Sequence, residues 1–202
     1  MIPMISWNRF SRLIPTIILL GCQAGRSPST AVLAEARKEL ESRGKEDQRV
    51  REDFGIDGKV DLTKIATMAH TDSANVNWLK AYVARWGWPT VAQIGKEAVN
   101  AAFLIVQHAV HDTAFMRAML PAIQASHRRG DLDGGAVAML TDRIEVKAGH
   151  PQIYGTQLSL QNGRWVLDPL RDSAGVDERR RQMGLPPLAE YLRMVDSILH
   201  PR

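Results

Sequence analysis

The sequence predicts an α+β protein, a mostly α-helical single domain with a β-hairpin in its carboxyl-terminal half. Three observations carry that prediction. Ala101 to Val106 is apolar in every direction, so a helix there must be covered all round and lie at the centre of the core. Apolar residues recur at helical spacing before and after it. Near the carboxyl end period two takes over on either side of Asn162-Gly163, the dipeptide best suited to a two-residue hairpin turn. The 202 residues suffice for one domain with a real core, and 45% hydrophobic with 24% charged residues is a globular balance.

The amino-terminal segment reads as an export signal. Arg9 and Arg12 precede the apolar run Leu13 to Leu20, which is too short to span a bilayer and is followed by Gly21 and Cys22. Leu19-Leu20-Gly21-Cys22 resembles the lipobox of bacterial lipoproteins. The resemblance implies cleavage before Cys22, lipid (palmitate included) on its thiol and new amine, and a membrane as partner. Gln23 rather than Asp in the next position implies the periplasmic face of the outer membrane. The expected division is therefore a signal peptide over residues 1–21, a lipidated cysteine and tether over 22–30, and one domain over 31–202. The alternative is an unprocessed extension with an incidental cysteine. Cys22 is the single cysteine, so no disulfide forms within the chain.

The formal charge of +4 falls to +2 without residues 1–21, which hold two arginines and no acid. The basic runs Ser126 to Arg129 and Glu178 to Arg181 lack interleaved aromatics and have acids nearby. They read as solvated faces, and no nucleic acid is expected as a partner.

A first helix is expected from Thr30 to Phe54, with Leu33, Ala36, Leu40, Asp47, Val50 and Phe54 on one stripe. Gly55 to Ala69 has weak periodicity and reads as loop with at most one helical turn. A second helix is expected from Asp72 to Trp86, placing Asn75, Leu79, Tyr82 and Trp86 on one face; Gly87-Trp88-Pro89 ends it. Thr90 with Gln93 is a capping-box pattern. The central helix follows over Glu97 to Val110, then a helix from Thr113 to Arg129 capped by Asp112 and kinked at Pro121. Another runs from Ala136 to Val146. A two-residue turn at Asn162-Gly163 pairs Leu160 with Trp165 and Leu158 with Leu167, over strands from Gln152 to Leu160 and Arg164 to Leu167. Alternation then puts Tyr154, Thr156, Leu158, Leu160, Trp165 and Leu167 on the packed face and Gln157, Ser159, Val166 and Asp168 on the other. A short helix around Asp177 to Gln182 and a last one opened by Pro187 complete the chain.

Several polar residues stand where apolar ones are expected. His108 and Gln107 terminate the apolar central run. An imidazole there can serve as a general base near neutral pH, or be a core histidine satisfied by hydrogen bonds. Gln107 lies about 100° round the helix from it. Asp112 can orient the His108 ring or simply cap the next helix. Asp47, on an apolar stripe, needs a cation, for which Arg143 is the expected partner. Tyr154 needs a hydroxyl partner, and Gln152 and Gln157 beside it can hold a ligand or satisfy irregular backbone. His108 and His111 are three apart, but zinc wants three or four ligands and no second His/Cys cluster accompanies them, so no metal is expected. With no Gly-rich phosphate loop and no nucleophile elbow, no cofactor is expected either.

Gly87 to Thr90 (GWPT), the central AAFLIVQHA, Leu140 to Arg143 (LTDR), Pro151 to Gln157 (PQIYGTQ) and Gly184 to Leu192 (GLPPLAEYL) are together similar to a bacterial family of domains of unknown function. The likeness covers about Ala31 to Leu192. The family's central motif reads QHAD followed by a second aspartate; Val110 replaces the first here and Asp112 matches the second. The resemblance implies the extent of the fold unit and supplies no reaction. Two functions remain open. One is an envelope lipoprotein that binds a protein or small-molecule partner. The other is a hydrolase or transferase using His108 as base, oriented by Asp112 or Asp142, with Tyr154 and Gln157 on the substrate; Asp47, Gln107, Arg143 and Gln152 are further ligand-binding candidates.

Overall fold

In the computed structural model, residues 27–52, 61–161 and 164–199 are described. The signal segment, Cys22, Phe54 and the turn residues Asn162 and Gly163 lie outside them. The described chain is helical apart from one small antiparallel hairpin: α1 (Thr30–Arg49), α2 (Leu62–Trp86), α3 (Val91–Ile94), α4 (Lys96–Gln107), α5 (Thr113–Arg128), α6 (Gly134–Lys147), β1 (Leu158–Gln161), β2 (Arg164–Leu167), α7 (Val176–Gln182) and α8 (Leu188–Leu199). Among the described residues no helix is long and apolar enough to cross a membrane.

Helix α4 is the centre. Ala98, Val99, Ala102, Ile105 and Val106 are at most 1% exposed, and the helix packs on α1, α2, α3, α5 and α6. A segment apolar all round has this outcome because no face of it can be left in water. Its crossing with α1 is close. A Cβ added to Gly44 would stand 2.7 Å from the Ala101 Cβ, so the two backbones approach at a point where only hydrogen and methyl fit. Helix α4 stops at Gln107, three residues short of expectation, and His108 is its C-cap. Asp112 caps α5 as expected, accepting from the Phe115 N–H at 3.0 Å, and α5 runs on through Pro121.

Helix α2 begins ten residues before the expected start. Asp61 caps it by accepting from the Thr63 and Lys64 N–H groups at 2.8 and 3.1 Å. The first turns bury little, with Leu62 77% exposed, so they carry no hydrophobic stripe to read. From Asp72 onward the face is inward, with Asp72, Asn75, Val76, Leu79 and Tyr82 buried.

The hairpin register is the expected one, Leu160 opposite Trp165 and Leu158 opposite Leu167. The strands are shorter than expected, because Gln152 to Gln157 is irregular chain apart from a bridge between Gln152 and Leu170. Leu158, Leu160, Trp165 and Leu167 are half-buried rather than core, while Asp168, expected outside, is buried. The sheet has two strands and no layer covering it fully, so its inner face stays partly wet. The run at Glu178 to Arg181 is also a correction. Arg180 is 1% exposed, donates to the Pro186 and Tyr154 carbonyls at 2.7 Å, and lies 4.9 Å over the Tyr191 ring. It ties α7 and α8 to the loop before β1.

Candidate functional site

The α1–α4 crossing brings Asp47 to the end of α4. Nδ1 of His108 lies 2.9 and 3.0 Å from the two carboxylate oxygens of Asp47. A carboxylate only accepts, so the proton of this contact is on Nδ1. No described residue hydrogen-bonds Nε2, and the His108 side chain is 17% exposed against 1% for Asp47. Asp47 further accepts from Gln48 Nε2 at 2.8 Å and pairs with Arg51 at 2.8 Å. The other arm of Arg51 meets Asp72 of α2, itself buried. The expected partner of Asp47, Arg143, is not among these; the cation comes from Arg51, in the turn just past the end of α1. Nor does Asp112 orient His108, since it caps α5 and pairs with Lys80.

Arg143, on α6, reaches the same region from the other side. Its Nε donates to Gln157 Oε1 at 2.9 Å and its Nη1 to the backbone carbonyl of Gln107 at 2.7 Å. Both acceptors are neutral, and among the described residues no carboxylate lies within ion-pair distance. Burial pushes the guanidinium down from its ordinary value and the like charge of Arg51 adds to that, while Asp72 and Tyr191 oppose it. Gln107 is 4% exposed, and its side-chain Oε1 has no hydrogen-bond donor.

The remaining candidates shape the loop that presents Gln157. Asp142, 0% exposed, accepts from the Ile153 and Tyr154 N–H groups at 2.7 and 2.9 Å, and from the N–H and hydroxyl of Thr156 at 3.0 and 2.9 Å. Gln152 accepts from the Gln157 N–H and donates to the Gln157 and Asp168 carbonyls. It satisfies irregular backbone, the blander of its two expected roles. The Tyr154 hydroxyl is pushed up by burial, with the Asp142 charge adding to the effect. His108 and Gln157 are therefore linked through Gln107 and Arg143, whereas Tyr154 and Gln152 belong to the scaffold around Asp142.

Sequence reasoning missed Asp72 and Arg51. Asp72 falls three and seven residues before Asn75 and Leu79, on the stripe already read as inward. Arg51 follows Asp47 by four residues, the spacing of helical ion pairs. The donor atoms of Asp47, Asp72 and His108 lie within 4.8 Å of one another, a grouping that could hold a metal ion. The neighbour His111, considered for that role, is exposed and outside the group. The guanidinium of Arg51 is bonded to both carboxylates, so their charge is already compensated from within the chain.

A helical α+β domain with a buried Asp–His contact, flanked by one paired and one unpaired arginine, is what the fold and the site define. Residues 34–200 match the model of a family of unknown function, DUF6624, and the chain belongs to that family. No curated protein and no solved structure matches the chain.

Proposed function

We propose that the protein is a hydrolase or transferase in which His108 acts as general base, oriented by Asp47. The observation that carries this reading is the contact of Nδ1 with Asp47, which leaves Nε2 without a partner among the described residues on a side chain that is 17% exposed. A buried carboxylate behind an imidazole holds its tautomer and stabilises the imidazolium formed when Nε2 takes a proton. The proton donor is a water or a hydroxyl of the substrate. Arg51 shares Asp47 and holds the carboxylate's orientation.

The protein would work at the cell envelope, held to the membrane by lipid on Cys22; support for that lies in Leu19 to Cys22 and the basic apolar segment before it. A binding role without catalysis is the second reading. A groove of about 990 Å³ between α1 and α4, lined by residues that include Arg37, Glu41, Gln48, Arg51 and Leu104, offers a partner surface that omits His108, Tyr154 and Gln157.

The test is paired. Hydrolysis of chromogenic acyl and phosphoryl esters and urea unfolding are measured on wild type and His108→Gln. Loss of activity by about 10²–10⁴-fold with stability retained supports the base. A loss of roughly 1–3 kcal/mol of stability, with turnover unchanged among folded molecules, makes His108 a structural group.

A further inference from the structure

We propose that Arg143 is the anchor for an oxyanion on the ligand, a phosphoryl or carboxylate group, beside the Nε2 edge of His108. The proposal deepens the reading of the site given above and rests on it for the ligand's place, but it stands on separate atoms.

Arg143 is held in position without being neutralised. Gln157 takes Nε and the Gln107 carbonyl takes Nη1, each a neutral acceptor on an element fixed by its own contacts. Nη2 has no hydrogen-bond partner among the described residues, and it is not one of the side-chain atoms sealed from solvent without a partner. The comparison with Arg180 is instructive. That guanidinium also lies away from carboxylates, but the residue is 1% exposed, with three carbonyls on it and the Tyr191 ring against its face, so it is closed to a ligand. Arg51 is the opposite case, paired with two carboxylates. Arg143 alone of the three combines a fixed plane, a spare donor on a residue that is not fully buried, and no carboxylate in ion-pair contact among the described residues.

Such an arrangement suits an anion. A planar fork with two of its positions already fixed loses little freedom on receiving a second acceptor pair, and charge-assisted bonds to oxyanions are the strong ones. A bound anion would offset what burial costs Arg143. The Gln107 carbonyl that grips Nη1 stands at the C-terminal end of α4, where His108 follows.

The experiment titrates the full-length protein with inorganic phosphate and, separately, with acetate, following binding by calorimetry at low ionic strength. Saturable binding of phosphate alone assigns a phosphoryl group, of acetate alone a carboxylate, and of both an oxyanion of either kind. Arg143→Gln should weaken that binding by about tenfold or more. Arg143→Lys, which keeps the charge but not the fork, should weaken it less and serves if the glutamine variant does not fold. Absence of saturable binding to wild type, or equal affinity in wild type and Arg143→Lys and Arg143→Gln, overturns the proposal and leaves the role of His108 untouched. Retained anion binding in a His108→Gln protein whose turnover is unchanged would instead overturn the catalytic reading alone.

Discussion

Asp47 and His108 meet across the crossing of α1 and α4, Nδ1 of His108 lying 2.9 Å from Oδ1 of Asp47 although 61 residues separate them in the chain. The contact joins the first helix to the end of the central one. It is continuous, through Arg51 and Asp72, with α2. Stability and the proposed chemistry are thus coupled at one carboxylate, and Asp47 is the place to separate them.

Asp47→Ala leaves the Nδ1–H of His108 without an acceptor and takes from Arg51 one of its two carboxylates, its Nη1 keeping only the backbone carbonyl of residue 47. Breaking a buried pair in this way should cost about 3–5 kcal/mol in urea unfolding. A cost below about 1 kcal/mol would show that water replaces the carboxylate at once. Asp47→Asn keeps the shape, and should lower turnover while costing less stability.

Gly44 sets the distance over which Asp47 can reach. Gly44→Ala puts a Cβ 2.7 Å from that of Ala101, so α1 must move away from α4. Overpacking of this kind should destabilise by about 1–3 kcal/mol. Ala101→Gly in the same protein should recover part of that loss, and a double-mutant cycle measures the coupling. Simple additivity would mean that the two helices do not touch at this point.

The hairpin makes a prediction in which the two faces differ less than alternation suggests. Trp165 is half-buried, so Trp165→Ala should cost less than the about 3–5 kcal/mol of a fully buried ring. Ser159, on the other face, donates to the buried Asp168 carboxylate. Ser159→Ala should therefore cost about 1 kcal/mol rather than nothing. Thermal unfolding of both variants decides; a silent Ser159→Ala would mean that water satisfies Asp168.

Asp112 supplies a pH dependence. A hydrogen bond from Lys80, then the Phe115 N–H, hold its carboxyl below the usual carboxylate value of 3.8. A depressed folded value means the stabilisation is complete above the unfolded value and is lost as pH falls through the folded one. Wild type should therefore lose stability below about pH 4, and Asp112→Asn should show a shallower loss there. Identical acid-unfolding curves for the two would remove Asp112 from the account.

Anchoring is tested at Cys22. Cys22→Ser, or globomycin treatment of cells making the wild type, should leave a heavier precursor that keeps residues 1–21. Mature protein of unchanged mass in the soluble fraction would overturn the lipid anchor.

Much of this protein is local and therefore legible in its sequence. The all-round apolar run of α4, the Asp112 cap and the hairpin register depend on residues a few positions apart, where backbone geometry alone sets the relation. Where burial gave no periodic signal, as in the exposed first turns of α2, the element was missed although its Asp61 cap is present in the chain. The polar candidates were visible one by one as residues out of place; their partners were not. Asp47 was expected to meet Arg143 and meets His108 and Arg51 instead, because the choice rests on how closely α1 crosses α4 at Gly44 and Ala101. Arg143 was left to neutral acceptors by the same packing. Helical spacing says which side a residue faces, whereas the angle and distance between helices, set by side-chain volumes far apart in sequence, decide which charge it finds there.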